Sequence, residues 1–251
     1  MTLESAKLKL NCDMGESFGH WTMGKDDAII PYVHMANIAC GFHASDPDTM
    51  AKTIQLAVKH NVSIGAHPSY QDLLGFGRRS IAHTPEQISH LISYQVGAIQ
   101  SLAALYDTQV DYVKPHGALY NDMMADLEVF EAIVQAVMPT GLPLMVLAKK
   151  DNTAYLDIAD EYNVPLLFEA FADRAYKDDG SLVPRNKPNA VHQNAEDIFY
   201  QAMQLANFGT VTTIKGHTLE LQADTLCVHG DNEESIAVVK RIYTALTQPI
   251  V

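Results

Sequence analysis

Val110-Asp111-Tyr112-Val113-Lys114-Pro115-His116-Gly117-Ala118-Leu119-Tyr120 is the stretch that decides the fold. A short β-prone run stops at Lys114-Pro115-His116-Gly117. There Pro115 lacks an amide donor and Gly117 admits dihedrals closed to other residues. This closes a strand and leaves a cation and an imidazole at its carboxyl end. In isolation it reads as an ordinary turn with an exposed Lys and His. The rest of the chain repeats the pattern, and the repetition gives it meaning.

Toward the N-terminus, strands are predicted over 7–12, 33–39 and 62–66. They end in Asn11-Cys12-Asp13-Met14-Gly15-Glu16, Cys40-Gly41-Phe42-His43-Ala44-Ser45-Asp46-Pro47 and His67-Pro68-Ser69-Tyr70. Toward the C-terminus, strands are predicted over 143–148, 164–170 and 225–228. The last two end in Phe171-Ala172-Asp173-Arg174 and Cys227-Val228-His229-Gly230-Asp231. Helical spacing places helices near 25–32, from Pro47, from Thr84 to about 106, near 126–137 and 153–162, from 194, and near 234–246. Asp46 with Pro47 fits an N-cap and first helical position, and Thr84 with Gln87 is spaced as a capping box. Residues 211–214 and 217–221, joined by Lys215-Gly216, predict a hairpin. The polar loop 176–193 is longer than a mere connection requires.

About seven strand–loop–helix units, with no break in composition, predict one α/β domain over residues 1–251. Such alternation implies a parallel sheet covered by helices. Seven units point to a closed or nearly closed (β/α) barrel, with a doubly wound open sheet as the alternative. The sequence holds neither a Gly-x-Gly-x-x-Gly turn nor a Walker-type loop, which weakens that alternative.

In a barrel, the polar residues after each strand converge on one mouth. The set is Asp13 and Glu16, His43 and Asp46, His67, Lys114 and His116, Glu169, Asp173 and Arg174, and His229 and Asp231, with Arg78 and Arg79 in a flanking loop. Simpler roles compete. Asp46 is explained by capping, and Asp13 taken singly could cap as well. His20, His34, His60, His83, His90, His192 and His217 lack the strand-end placement and are read as surface or packing residues. Cys12, Cys40 and Cys227 are read as small buried residues rather than catalytic thiols. The set supports hydrolytic chemistry: carboxylates polarise water, histidines move protons, and Lys114, Arg79 and Arg174 could hold a carboxylate or phosphate. Asp13, His43 and His67 are candidates for a divalent metal, although no His-x-His or His-Glu-x-x-His pair supports one by spacing.

Composition sets outer bounds. The 251 residues are 47% hydrophobic and 19% charged, enough for a core without staples. The net charge of −13 argues against general nucleic-acid binding but tolerates a local cationic pocket. Three cysteines suggest free thiols in a reducing, cytoplasmic setting. Neither a signal peptide nor a membrane span is expected.

Eight blocks carry a resemblance. They are Asn11–Glu16, Asn37-Ile38-Ala39-Cys40-Gly41-Phe42-His43-Ala44, Gly65-Ala66-His67-Pro68, Gly75-Phe76-Gly77-Arg78-Arg79, Lys114–Tyr120, Phe171–Arg174, Leu182-Val183-Pro184-Arg185 and Cys227–Asp231. Together, in order and over nearly the whole chain, they resemble the LamB/YcsF family. One departure is Ser45, where the family usually has Gly. The resemblance implies a glycoside hydrolase/deacetylase-like barrel, a variant of the TIM barrel. It implies an ATP-dependent 5-oxoprolinase, opening the lactam of 5-oxo-L-proline to L-glutamate with hydrolysis of ATP (carrying Mg) to ADP and phosphate. It also implies partner subunits B and C. On this reading Asp13, His67, His116 and Asp173 are acid–base candidates. Glu16, His43, Arg79, Lys114, Arg174 and His229 are substrate or anion binders. The alternatives are a metal-dependent amidohydrolase or deacetylase acting alone, and a non-catalytic substrate-binding barrel.

Overall fold

A computed structural model describes residues 8–230 and 232–247. Seven parallel strands close into a barrel: β1 (Lys9–Met14), β2 (Met35–Ala39), β3 (Ser63–His67), β4 (Tyr112–Val113), β5 (Leu144–Leu147), β6 (Leu166–Phe171) and, returning to β1, β9 (Thr225–Cys227). The barrel is TIM-like and the open-sheet alternative falls. The expected hairpin forms separately as β7 (Thr210–Thr212) and β8 (Thr218–Glu220).

The helices are α1 (Asp26–Ile29), α2 (Pro47–His60), α3 (Pro85–Ala104), α4 (Gly117–Met123), α5 (Leu127–Val137), α6 (Thr153–Glu161), α7 (Ala195–Phe208) and α8 (Glu233–Thr247). Asp46 caps α2, accepting from the amides of Asp48 and Thr49 at 3.0 Å each, with Pro47 in the first turn. The Thr84–Gln87 capping box opens α3. The α4 helix was not anticipated; seven residues are too few for a readable period. The first strand runs two residues past its predicted end, so Asp13 lies on the strand itself. Lys7 and Asp231 lie outside the described residues.

Strand alternation sorts the interior. Leu10, Cys12 and Met14 face outward into the main core with Ile54, Ile92 and Ile242 of the surrounding helices. Met35, Tyr112 and Met145, with Leu167 against them, form a separate apolar cluster inside the barrel. Two residues further along their strands stand buried Asn37 and Glu169, beside Asn11. Gly65 makes room here, since a Cβ would fall 2.2 Å from the Tyr112 ring. The Tyr112 hydroxyl donates to Asn37 Oδ1 at 2.7 Å. The barrel thus has an apolar floor, a polar middle and an open mouth.

The conformation of Ser45 shows why glycine suits its position better. Its φ is 75°, in the left-handed region that favours glycine, and the residue is fully buried. Ser45→Gly is therefore expected to stabilise the fold by about 1 kcal/mol, the cost of that conformation for a residue with a Cβ. A higher urea midpoint at unchanged m would show it; an unchanged or lower midpoint would refute it.

Candidate active site

The ends of β1 to β4 deliver the parts of a single buried cluster. Asp13 and Glu16 come from β1 and its turn, His43 from the loop after β2, His67 from the end of β3, and Lys114 and His116 from the turn after β4. That turn leans on the Gly75-Phe76-Gly77 loop. Gly77 has a φ of +64°, and a Cβ there would lie 2.8 Å from both His116 and His43. A Cβ on Gly117 would fall 2.4 Å from the Gly77 carbonyl oxygen. The glycines in both motifs therefore allow two loops to meet over the imidazoles.

His67 Nδ1 lies 2.7 Å from the Lys114 carbonyl and His116 Nε2 lies 2.9 Å from the Phe76 carbonyl. Their other nitrogens, His67 Nε2 and His116 Nδ1, are 2.9 Å apart. His43 stacks on His116 with ring centroids 3.7 Å apart. It places Nδ1 3.1 Å from Ser69 Oγ and Nε2 3.2 Å from Glu16 Oε1. Burial first, and then neighbouring imidazoles, hold His43 and His116 well below the ordinary histidine range. Burial, reinforced by Asp13, raises Glu16. Glu16, His43, His67 and His116 offer ligand atoms all within 4.8 Å of one another and could hold a metal ion. Of the expected metal candidates, His43 and His67 are in this group. Asp13 stands beside it, its Oδ1 engaged by Asn37 Nδ2 at 2.8 Å and Lys114 Nζ at 3.1 Å.

Lys114 differs from the expected anion binder. Its ammonium is buried 2.7 Å from Glu169 Oε1, 3.1 Å from Asp13 Oδ1 and Asn11 Oδ1, and 3.4 Å from Cys227 Sγ. Burial opposes its charge, but Asp13, Cys227 and Glu169 more than compensate and push its pKa well up. Three donors already have four acceptors, so the cation is internal. Asp13 is the reciprocal case. Burial would raise its carboxyl, yet His67 and Lys114 hold it well below the usual range.

Arg79 and Arg174 also point elsewhere. Arg79 grips Asp72 within its own loop and is largely exposed. Arg174 donates to the carbonyls of Ala190 and Val183, at 3.3 and 2.7 Å, and pins the loop that follows β6. Both guanidinium groups therefore already hold protein acceptors.

Asp173 and His229 form a pair across the mouth, Oδ2 to Nδ1, at 2.9 Å. Burial works against both charges. Each nevertheless stabilises the other, taking Asp173 down to about 2 and His229 up to about 9. His229 is thus an imidazolium at neutral pH. An NMR titration should give it a midpoint near 9, and Asp173→Asn should move that midpoint down by more than about one unit. A midpoint near that of a free histidine in the unaltered protein would refute the pairing.

Two cavities flank the cluster. One of about 350 Å³ is lined by Arg78, Asp173, Arg185, His192, His229 and Asn232 among others. The second, about 200 Å³, reaches Cys12, Asp13, Glu16, Lys25 and Asp26. Sequence reasoning placed Glu169 at the mouth but not in its pairing with Lys114, and it left Asn11, Asn37, Ser69 and Arg185 without roles at this site. The asparagines carried a signal, because a polar amide inside a β-prone run needs a buried partner. Burial pushes the Cys12, Cys40 and Cys227 thiols up, Cys40 to about 12, consistent with inert packing residues.

The profile of the LamB/YcsF family matches residues 8–251. A Vibrio vulnificus (strain CMCP6) protein, named as the A subunit of 5-oxoprolinase, is 59% identical over 246 residues, 98% of this chain and 100% of that protein. A Pseudomonas fluorescens (strain Pf0-1) protein of the same name is 53% identical over 245 residues, 97% of this chain and 98% of that one. The crystal structure of a lactam utilization protein from Thermus thermophilus superposes with a TM-score of 0.88 at 37% identity, covering 95% of this chain and 96% of that one.

Proposed function

The chain belongs to the LamB/YcsF family, and from that premise we propose that it is the ring-opening component of an ATP-dependent 5-oxoprolinase. It would convert 5-oxo-L-proline to L-glutamate in the cytoplasm, working with partner subunits B and C. The relatives' shared name, the A subunit of 5-oxoprolinase, supports both the substrate and the existence of partners.

The observation that carries the chemistry is the opposite tuning of two groups at one mouth. Asp13 is held ionised and His229 is held protonated. Environments that drive two titratable groups apart in this way assign a base and an acid. In the proposed reaction water attacks the lactam carbonyl carbon and gives its proton to Asp13. The ring C–N bond breaks, and the nitrogen takes a proton from His229. A lactam is a resonance-stabilised amide with a poor leaving group. Transfer of the ATP γ-phosphoryl group to its oxygen would remove that resonance, which is the reason for coupling to ATP; ring opening then leaves an acyl phosphate, which a second water molecule cleaves to glutamate and phosphate. The cavity beside Asp173 and His229, with Arg78 and Arg185 on its wall, suits a small ring bearing a carboxylate.

Glutamate and phosphate release by the chain combined with subunits B and C tests the reading. The two should appear in equal amounts and only with ATP present. Glutamate formation without ATP would instead favour an autonomous amidohydrolase. The rate should also fall as pH rises through about 9, where His229 loses its proton. In Asp173→Asn that alkaline limb should move down. A limb that stays in place would remove His229 from the acid role.

A further inference from the structure

The three histidines around Glu16 have a protonation problem that their outer hydrogen bonds define. A backbone carbonyl only accepts, so His67 Nδ1, facing the Lys114 oxygen, and His116 Nε2, facing the Phe76 oxygen, must each carry hydrogen. The Ser69 hydroxyl donates its hydrogen to the Tyr70 carbonyl at 2.8 Å. It therefore has only a lone pair to offer His43 Nδ1, which must also carry hydrogen. In the neutral rings His43 Nε2, His67 Nε2 and His116 Nδ1 are consequently bare lone pairs, and all three turn inward.

Those lone pairs face one another and two carboxylates, His67 Nε2 also lying 3.4 Å from Asp13 Oδ2. His67 Nε2 and His116 Nδ1 are 2.9 Å apart, His43 Nε2 is 3.2 Å from Glu16 Oε1, and His116 Nδ1 is 3.8 Å from the same oxygen. Contacts this short between electron pairs need an electron-poor centre among them. One proton satisfies only one such contact. Protonating His43 and His116 together would set two cations in rings stacked 3.7 Å apart. A single metal ion satisfies all four donors at once. Outer nitrogens tied to carbonyl or hydroxyl oxygens are also the usual support of metal-bound imidazoles.

We propose that Glu16, His43, His67 and His116 form a resident centre for a divalent ion of the zinc class. Three imidazoles and one carboxylate suit a borderline ion such as zinc or cobalt better than magnesium or calcium, which favour all-oxygen shells. The centre stands on its own geometry. Its role rests on the hydrolase reading: an ion here, next to Asp13, would supply Lewis acidity for a lactam oxygen or a water molecule.

The test is metal content of the full chain, purified without chelator and without its partners, followed by stripping and titration with zinc or cobalt. Stoichiometric binding is expected, with a visible cobalt spectrum typical of a low-coordinate nitrogen–oxygen site. Ser69→Ala, which removes only an outer support, should weaken affinity about 10–100-fold. His116→Ala should weaken it more. Glu16→Gln keeps the side chain's shape and guards against a folding failure in the histidine variant. A chain that binds neither ion stoichiometrically, or equal affinity in Glu16→Gln, His116→Ala and the unaltered chain, would overturn the centre. A metal-free chain in a complex that still makes glutamate would overturn the centre and leave the function standing. A metal-bound chain in an inactive complex would do the reverse.

Discussion

Replacing Lys114 by methionine is expected to cost about 3–5 kcal/mol of stability, the penalty for removing one member of a buried ion pair. The ammonium sits 2.7 Å from Glu169, whose side chain is wholly inaccessible, and 3.1 Å from Asp13. Methionine fills the volume but leaves the Glu169 carboxyl without its counter-ion, and it leaves the Asn11 and Cys227 acceptors without the donor they now share. Such a loss is a large share of the roughly 5–15 kcal/mol that stabilises a typical domain. Because the cost is an uncompensated charge, adding Glu169→Leu to Lys114→Met should recover much of it. Urea unfolding of the single and double variants measures both. A loss under about 1 kcal/mol in the single variant, the worth of an exposed pair, would refute an internal role for the cation.

That result would also mark where sequence reading stopped. The barrel was legible because its strand ends are punctuated. Lys114-Pro115-His116-Gly117, His67-Pro68 and Asp46-Pro47 each combine a backbone constraint with a polar group, and repetition turns such turns into a mouth. Local devices were legible for the same reason, since Asp46 and Gln87 act within three residues of their partners. Long-range pairing was not. Nothing near Lys114 announces Glu169, and nothing near Arg174 announces the Val183 and Ala190 carbonyls it holds. Asp72, seven residues before Arg79, could have been paired with it, but spacing in a loop has no fixed period. The short helix Gly117–Met123 and the two-residue strand Tyr112–Val113 are likewise below the length at which periodicity speaks.

Asp13→Asn is expected to lower glutamate formation by the assembled complex about 10²–10⁴-fold, the span attributed to a positioned general base. The amide is nearly the same size and can still accept from Asn37 and Lys114, so the fold and assembly should persist. What it cannot do is take a proton from water, a task for which Asp13 is kept ionised by His67 and Lys114. Because its pKa lies well below the usual range, loss of activity on acidification should not track an ordinary carboxyl. The unaltered base stays available until pH falls below that range, so an acid limb at higher pH would have to belong to another group. Activity within about threefold of the unaltered complex would exclude Asp13 as the base, since that is far short of general-base magnitudes.

The central claim is that the chemistry of ring opening resides in this chain. It is tested most directly by ATP-dependent glutamate release from 5-oxo-L-proline by subunits B and C under three conditions: with no added chain, with the unaltered chain, and with Asp13→Asn. Glutamate is predicted at the full rate only with the unaltered chain, at a rate about 10²–10⁴-fold lower with Asp13→Asn, and not at all without the chain. Glutamate release by B and C alone, or full release with Asp13→Asn, would contradict the claim.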